Sequence, residues 1–268
     1  MPVPASIPSP PGNGVGIGPL RLRAYGLAIA VGVVVAVEIT RRRFARRGGD
    51  PDAVTAVAVW AVPAGLVGAR LYHVLTDYRR FEGHWWRVLQ VWRGGLGIPG
   101  GLLFGVVTGV LVARRRGLAV ADLLDAAAPA IPVAQAIGRL GNWFNQELFG
   151  RPSTLPWAVR IDAAHRPAGF EHVATYHPTF LYEALWNLAL AAALVRVDAG
   201  GRLRRGQLFV LYVGGYAAGR LWVEALRIDP ASRVLGLRVN IWVSALALAG
   251  AAVVFAVRAR RPAGQEGG

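Results

Sequence analysis

The sequence of 268 residues contains neither cysteine nor lysine. Without cysteine the chain can form no disulfide, no thiolate metal site and no cysteine nucleophile, although a thiol could still belong to a substrate. Because lysine is absent, all 30 basic residues are arginines, and a guanidinium group cannot act as a proton acceptor. The five histidines are scattered without the spacing of metal ligands, so the sequence predicts no metal site.

Apolar residues make up 54% of the chain, more than a soluble domain of this length needs. They are concentrated in blocks of about 20 residues, the length that crosses a bilayer core. The blocks predict an all-α integral membrane protein with about seven transmembrane helices, at 22–40, 53–75, 95–113, 120–141, 178–197, 207–226 and 239–257. Acidic residues and prolines interrupt the fourth block, so we expect a broken helix there that faces protein or a wet cavity.

The net charge of +15 is distributed unevenly. Arginines cluster in short loops between the apolar blocks, which the positive-inside rule explains better than a nucleic-acid partner does. The loops at 41–52, 114–119 and 198–206, together with the tail from Arg258, are therefore predicted to face the cytoplasm. This orientation places the N-terminus outside and the C-terminus in the cytoplasm, and it makes the long loop 142–177 a small external head.

The remaining domain organisation follows from composition. Residues 1–20 are rich in proline, glycine and serine, which predicts a disordered N-terminal lead-in. Residues 21–258 are predicted to form a single polytopic transmembrane domain, and residues 259–268 a basic, flexible cytoplasmic tail. We find no internal repeat, which argues against an inverted-repeat transporter.

The sixth block carries ionisable groups that cost about 2.5–3.5 kcal/mol each to insert into a membrane. Tyr216, Arg220, Glu224 and Arg227 follow at helical spacing and therefore form one stripe on a helix. Arg220 and Glu224 could simply neutralise each other. However, two arginines and one carboxylate leave one positive charge, and a permanently cationic guanidinium suits a phosphate group.

The stretch "GRLGNWFNQELFG" ends the fourth block with Arg139, Asn142, Asn145 and Glu147. A lone arginine near a helix end could extend toward the membrane surface, but that does not explain the amides and the carboxylate behind it. Gly150, like the other glycines of the stretch, permits a sharp turn or a close backbone approach. We interpret the stretch as a functional site rather than an interfacial anchor.

Three further features are ambiguous on their own. His177, at the start of the fifth block, could be a base or a capping residue, and Tyr25 could be an ordinary interfacial tyrosine. The segment "GGLGIPGG" at 94–101 contains a formal G-x-G-x-x-G. Because no strand precedes it, we reject nucleotide binding and expect its glycines to allow close packing or backbone approach to a ligand.

In these segments the sequence resembles the prolipoprotein diacylglyceryl transferase family. The signature G-R-x-G-N-[FW]-x-N-x-E-x-x-G is matched in full, and the resemblance runs from about residue 20 to residue 257. The matching positions are Gly138, Arg139, Gly141, Asn142, Trp143, Asn145, Glu147 and Gly150, then His177, Pro178, Leu181, Tyr182 and Glu183, then Tyr216, Arg220, Glu224 and Arg227, and also Tyr25 and Gly26.

The resemblance implies an enzyme of the bacterial cytoplasmic (inner) membrane that transfers a diacylglyceryl group from phosphatidylglycerol to the lipobox cysteine thiol of a prolipoprotein. Glycerol 1-phosphate is the other product, no cofactor is implied, and we expect a monomer in contact with membrane lipids. Arg139 and Arg220 are the expected catalytic residues. The residues expected to bind phosphatidylglycerol are Arg139, Tyr25, Asn142, Asn145, Glu147, Gly150, Tyr216, Glu224 and Arg227.

One position departs from the family pattern. Well-studied members of the family carry a histidine immediately before the last two glycines of the glycine-rich segment, where this chain has Pro99. Proline cannot accept a proton, so His177, Glu147 or solvent would have to take the proton of the substrate thiol. Two other functions stay open from the sequence alone: a non-enzymatic lipid transporter or flippase, and a lipid-headgroup transferase with another acceptor.

Overall fold

The computed structural model describes residues 6–17, 20–91 and 94–260. These residues form helices α1 (Ala24–Arg46), α2 (Pro51–Thr76), α3 (Ile98–Arg115), α4 (Val120–Ala127), α5 (Ala130–Asn145), α6 (Thr179–Ala199), α7 (Gln207–Leu226) and α8 (Val239–Arg260). Short antiparallel strand pairs lie in the connections: β1 (Gly14–Ile17) with β2 (Leu20–Arg23), β3 (Val159–Arg160) with β4 (Thr175–Tyr176), and β5 (Arg233–Val234) with β6 (Leu237–Arg238). The predicted helical architecture is confirmed.

Five of the helices, α1, α2, α3, α6 and α8, are long and apolar enough to cross a membrane. A sixth span results if α4 and α5 count as one broken helix, interrupted where the fourth block was expected to break. The protein is therefore a multi-pass membrane protein. Helix α7 has the length of a span, but Arg220 and Glu224 lower its hydropathy, so the seventh span stays a prediction.

The residue contacts divide the chain into two compact units, which we describe separately. The smaller unit, residues 39–126, packs α2 closely against α3. A Cβ atom on Gly100 would collide with the carbonyl oxygen of Gly68, and one on Gly101 would lie 3.2 Å from Ala69 Cβ. The glycine-rich segment thus allows close helix packing, and Pro99 occupies the first turn of α3, where its missing N–H costs no hydrogen bond.

The larger unit contains residues 1–38 and 127–268, with α6 packed between α5 and α7. A buried apolar cluster around Leu194, Leu208 and Tyr212 holds these three helices together at one end. Helix α1 comes close to α5, because a Cβ atom on Gly32 would lie 2.9 Å from the carbonyl oxygen of Ala134. The polar residues singled out in the sequence lie toward the opposite end of α5, α6 and α7.

The connection between α5 and α6 folds into a small head. Its core consists of Phe149, Val159, Ile161, Tyr176 and Phe180. The β3–β4 pair crosses this core, and burial raises the pKa of the Tyr176 hydroxyl, which donates to the Phe170 and Val173 carbonyls. The predicted head therefore exists as a folded element.

The start of the chain differs from the predicted disordered lead-in. The backbone N–H of Ile7 donates to the Ala158 carbonyl at 2.8 Å, and Trp143 Nε1 donates to the Pro8 carbonyl at 3.0 Å. Ile7 also packs on the core of the head, so apolar contact outweighs the loop-like composition. The contacts of Ile7 and Pro8 thus attach the start of the chain to the head, while residues 1–5 and 18–19 lie outside the described residues. At the other end, α8 continues to Arg260, and the rest of the predicted tail is likewise outside them.

The close approach of α2 and α3 gives a test of the fold. Replacing Gly100 with valine should lower the thermal unfolding midpoint in detergent, because overpacking against the Gly68 backbone costs about 1–3 kcal/mol. Gly250→Ala is the matched control, since nothing lies within 4 Å of a Cβ atom there. Equal midpoints for the two variants would contradict the packing described.

Candidate active site: an arginine–carboxylate network

The polar residues of α5, α6 and α7 meet because of where each lies along its helix. Arg139 is in the last turns of α5, Glu183 is in the second turn of α6, and Arg220 lies toward the end of α7. Since α6 packs between the other two helices, its carboxylate can reach both arginines. The helices therefore gather three ionisable groups that are far apart in the sequence.

Glu183 is the centre of this arrangement. Its side chain is only 4% exposed, and its Oε1 atom accepts from Arg139 Nη2 at 2.5 Å and from Arg220 Nη1 at 3.0 Å. Charge-assisted hydrogen bonds of this kind are short and strong. The two arginines predicted to be catalytic are thus held side by side on one carboxylate oxygen.

Glu224 is a second hub and is fully buried. Its Oε2 atom lies 2.7 Å from Arg220 Nη2 and 3.7 Å from Arg227 Nη1. Its Oε1 atom accepts from Arg238 Nε at 2.5 Å and from Asn240 Nδ2 at 3.3 Å. The stripe predicted on α7 therefore exists, but the Arg220–Glu224 pair is one link in a larger network rather than a self-contained pair.

Asp229 is the third carboxylate of the network and pairs with two of its arginines. Arg227 binds it with Nε at 2.7 Å and Nη2 at 2.8 Å, and Arg238 Nη2 lies 3.0 Å away. Burial by itself raises the pKa of the Asp229 carboxyl, but the bonds and charges of the two arginines outweigh it and hold the pKa below its ordinary value. Arg238 also donates to the carbonyls of Arg227 and Asp229, which fixes the turn after α7.

The ion-paired network contains one more arginine than carboxylate. Its members among the described residues are four arginines, Arg139, Arg220, Arg227 and Arg238, and three carboxylates, Glu183, Glu224 and Asp229. Buried charges are costly unless they are paired, and with Glu147, which is linked to Arg139 through Asn142, the site holds four carboxylates for its four arginines. At the Arg139–Arg220 end, the two guanidinium groups share one oxygen of Glu183.

Glu147 forms a smaller cradle beside Arg139. Its Oε1 atom accepts from Asn142 Nδ2 at 2.9 Å and from Asn145 Nδ2 at 3.0 Å, while Arg139 Nη1 is 3.5 Å from Asn142 Oδ1. The chain turns back on itself just after α5, because Gln146 takes a left-handed conformation with φ of 51° and ends the helix. The structure thus brings together the polar residues of "GRLGNWFNQELFG".

Gln146 also ties this turn to the head. Its Nε2 atom donates to Asp162 Oδ2 at 2.6 Å, and its Oε1 atom accepts from the Asp162 backbone N–H at 2.8 Å. The hydrogen bond from Gln146 holds the pKa of the Asp162 carboxyl below its ordinary value. Both polar atoms of the Gln146 amide are therefore bonded to Asp162, and these bonds hold Gln146 in a backbone conformation that non-glycine residues rarely adopt.

Two glycines let other elements reach the network. A Cβ atom on Gly141 would lie 2.7 Å from Tyr25 Cδ2, so this glycine lets the Tyr25 ring pack onto α5. A Cβ atom on Gly150 would lie 3.0 Å from the Leu226 carbonyl oxygen, and Gly150 forms an isolated bridge with Arg227. Gly150 therefore allows the close backbone contact that positions Arg227.

His177 and Tyr216 lie in other surroundings. His177 Nδ1 is 3.1 Å from the Tyr182 hydroxyl, which also accepts from Trp157 Nε1 at 3.0 Å. The Tyr216 ring packs 6.2 Å from that of Tyr212 in the apolar cluster. Within the described part of the chain, neither side chain has a hydrogen bond to the four arginines.

Sequence reasoning left three members of the network without a role: Glu183, Asp229 and Arg238. Glu183 carried a usable signal, because an ionisable residue inside an apolar span is expected to have a function. Arg238 gave no such signal, since its partner Glu224 is 14 residues away and is reached only through the β5–β6 turn. Contacts set by a turn cannot be read from helical spacing.

The fold and the site together define a multi-pass helical membrane protein with a buried network of arginines and carboxylates between three of its helices. The chain belongs to the prolipoprotein diacylglyceryl transferase family, which matches residues 14–257. The resemblance inferred from the sequence is thereby confirmed.

The relatives carry consistent names. A phosphatidylglycerol–prolipoprotein diacylglyceryl transferase of Frankia alni is 57% identical over 261 residues, which are 96% of this chain and 68% of the relative. The enzyme of the same name from Frankia casuarinae is 54% identical over 94% of this chain and 62% of the relative. Enzyme 2 of Streptomyces coelicolor is 50% identical over 86% of this chain and 74% of the relative.

Removing the shared carboxylate tests the charge balance. Glu183→Gln should lower the thermal stability of the protein in detergent, because breaking a buried ion pair costs about 3–5 kcal/mol. Added inorganic phosphate should restore more stability to this variant than to the wild type, since Arg139 and Arg220 then lose the carboxylate that they share.

Glu82→Gln, at an exposed position, is the matched control and should behave like the wild type. A Glu183→Gln variant that is as stable as the wild type, and equally insensitive to phosphate, would contradict the role of Glu183.

Proposed function

We propose that this protein transfers the diacylglyceryl group of phosphatidylglycerol to the lipobox cysteine thiol of a prolipoprotein, with release of glycerol 1-phosphate. Family membership and the names of the relatives support the reaction. The observation that carries the proposal is the convergence of Arg139 and Arg220 on one oxygen of Glu183. The planar fork of a guanidinium group matches the oxygens of a phosphate, so two adjacent arginines can bind a phosphodiester together.

The reaction is a displacement at carbon. The sulfur attacks the carbon of the diacylglyceryl group that carries the phosphate. A C–S bond forms, and the bond from that carbon to the phosphate oxygen breaks. The bonding electrons leave with glycerol 1-phosphate, and the thiol proton goes to a base or to solvent. Because a free thiol has a pKa near ~8.5, a cationic site that favours the thiolate assists the first step.

Arg139 and Arg220 have two tasks in this scheme. They bind the phosphate oxygens of the lipid, and they stabilise the negative charge that grows on the leaving phosphate. Preorganised donors of this kind lower a barrier by about 3–4 kcal/mol each when tested by removal. Glu183 keeps both guanidinium groups in place. When lipid binds, the two guanidinium groups contact both Glu183 and the phosphate.

The remaining predicted residues bind or position the headgroup. Asn142, Asn145 and Tyr25 surround the phosphate end on α5 and α1, and Tyr216 contacts the lipid from α7. Glu224 and Arg227 hold Arg220 in place, and Gly150 allows the backbone contact that positions Arg227. No metal ion or other cofactor takes part in the proposed step.

Of the two candidate proton acceptors, we favour Glu147. It lies in the hydrogen-bond chain that begins at Arg139 and runs through Asn142, and its described partners are neutral amides. His177 Nδ1 faces the Tyr182 hydroxyl instead. Pro99 offers no base in the glycine-rich segment, so the proposed mechanism does not draw on that position.

We further infer the setting of the enzyme. It spans the bacterial cytoplasmic membrane seven times, with α7 and the broken α4–α5 pair as spans in addition to the five apolar helices. The N-terminus and the head lie outside, the arginine-rich loops lie in the cytoplasm, and the 21–258 region acts as one catalytic domain in a monomer. Arginine clustering in the loops supports this orientation.

Substitution of the arginines tests the function. Arg139→Ala and Arg220→Ala should each reduce transfer at least 100-fold, the approximate effect of removing one charge-stabilising donor. Arg139→Lys should restore little, because an ammonium group lacks the planar fork. The measurement is the mass increase of a lipobox peptide incubated with purified protein and phosphatidylglycerol.

Two controls make this assay specific. Arg196→Ala, on the exposed face of α6, should retain wild-type transfer. A peptide with serine in place of the lipobox cysteine should gain no mass. Full transfer by a folded Arg139→Ala or Arg220→Ala variant would rule out the arginine site, and no transfer by the wild type would rule out the function.

A comparison of Glu147→Gln with His177→Phe tests the proton acceptor. We expect Glu147→Gln to lower kcat by a factor on the order of 100 and to remove an ionisation from the pH profile, as loss of a general base does. The His177→Phe variant should keep the wild-type pH profile. A reversed result, with the ionisation lost only in the His177 variant, would assign the base to His177.

A further inference from the structure

Within the larger unit, residues 7–9 lie against β3 of the head as an added strand. The Ile7 N–H donates to the Ala158 carbonyl at 2.8 Å, and the Arg160 N–H donates to the Ile7 carbonyl at 2.8 Å. These bonds form a parallel bridge between Ile7 and Val159. Since β4 pairs with the other side of Val159, residues 7–9 cover the edge that β3 would otherwise expose.

The Ile7 side chain adds an apolar anchor to this pairing. It is partly buried against the core of the head, in which Val159 and Tyr176 are fully enclosed. Proteins that bind an extended peptide at a sheet edge use the same two features, namely backbone hydrogen bonds and pockets for alternate side chains. The edge of β3 therefore has the properties of a binding site for an extended peptide with one apolar side chain.

The pairing between residues 7–9 and β3 is short. It is an isolated bridge, and the Arg160 carbonyl accepts from the Ser9 hydroxyl at 2.7 Å, where a regular parallel strand would offer a backbone N–H. Pro8 and Pro10, on either side of Ser9, have no N–H to donate, so the segment forms a poor strand. Because hydrogen bonds to protein replace hydrogen bonds to water, the net gain from so few of them is small. A better strand can therefore displace the segment.

The same edge leads to the candidate active site. Trp143 Nε1 donates to the Pro8 carbonyl at 3.0 Å, and Trp143 lies one helical turn after Arg139 on the same face of α5. The bonds between the Gln146 amide and the head fix this end of α5 to β3. An extended chain advances about 3.3 Å per residue, so a side chain a few residues after the Ile7 position can reach the turn that carries Arg139.

We propose that the edge of β3 binds the extended peptide segment that carries the acceptor thiol, and that residues 7–9 are a built-in competitor for this edge. The peptide pairs with β3 through its backbone and places an apolar side chain where Ile7 lies. Its cysteine follows a few residues later and approaches Arg139. This inference rests on the function proposed above, because the acceptor peptide comes from that reaction.

Detachment of residues 7–9 tests the competition. The probe is a lipobox peptide with serine in place of cysteine, which binds without reacting. Ile7→Asp should detach the segment, because a carboxylate is costly to bury against the apolar core of the head. The Kd for the peptide should then fall about tenfold, since a weakly held competitor is removed. Thr154→Asp, at an exposed position of the head, adds the same charge and should leave the Kd unchanged.

A disulfide tests the opposite change. The chain has no cysteine of its own, so the Ile7→Cys/Val159→Cys variant can form only one disulfide within the chain. Paired residues of neighbouring strands lie about 4.8 Å apart, which a disulfide can span. The oxidised variant should bind the serine peptide at least roughly tenfold more weakly than the same variant after reduction. Because both forms have one sequence, a difference between them cannot come from a folding defect of the substitutions.

The outcomes distinguish this inference from the function on which it rests. Equal peptide binding by the oxidised and reduced forms would overturn the β3 site, even if the wild type transfers lipid to the cysteine peptide. Weaker binding by Ile7→Asp, or equally tightened binding by Thr154→Asp, would also overturn it, because residues 7–9 would then only support the fold. No transfer to the cysteine peptide would contradict the proposed function, and this inference with it.

Discussion

The shared hydrogen bonding of Arg139 and Arg220 to Glu183 Oε1 is the interaction on which the rest of this structure depends. It joins α5, α6 and α7 inside an apolar bundle, where isolated charges would be prohibitively costly. It also makes the two guanidinium groups share one carboxylate oxygen, while Arg220 has a second partner in Glu224. The same contact therefore holds the helices together and keeps a cationic site ready for phosphate.

The second hub explains how this site keeps its shape. Glu224 and Asp229 bind Arg227 and Arg238 around the end of α7. The Oε2 atom of Glu224 also binds Arg220 and so holds it in place. The turn at Gln146 is fixed by the head in a similar way. Such supporting contacts cost conformational freedom but reduce the reorganisation needed when charge develops on a bound phosphate.

Much of this arrangement could be predicted from the sequence, for definable reasons. Helical spacing placed Arg220 and Glu224 on one face of α7, and the cost of burying charge singled out Arg139. What spacing could not show is how separate helices meet, so the central place of Glu183 became visible only in three dimensions. Arg238 reaches Glu224 through a turn, and residues 6–17 pack on the head despite a loop-like composition, because tertiary contacts outweigh local preference.

The most direct test of the central claim is an experimental structure of the protein with phosphatidylglycerol bound. The account predicts that phosphate oxygens lie about 2.7–2.9 Å from nitrogen atoms of both Arg139 and Arg220, the usual length of a charge-assisted hydrogen bond. Glu183 should then share the two guanidinium groups with the phosphate. A phosphate bound elsewhere, with neither Arg139 nor Arg220 in contact with it, would contradict the account.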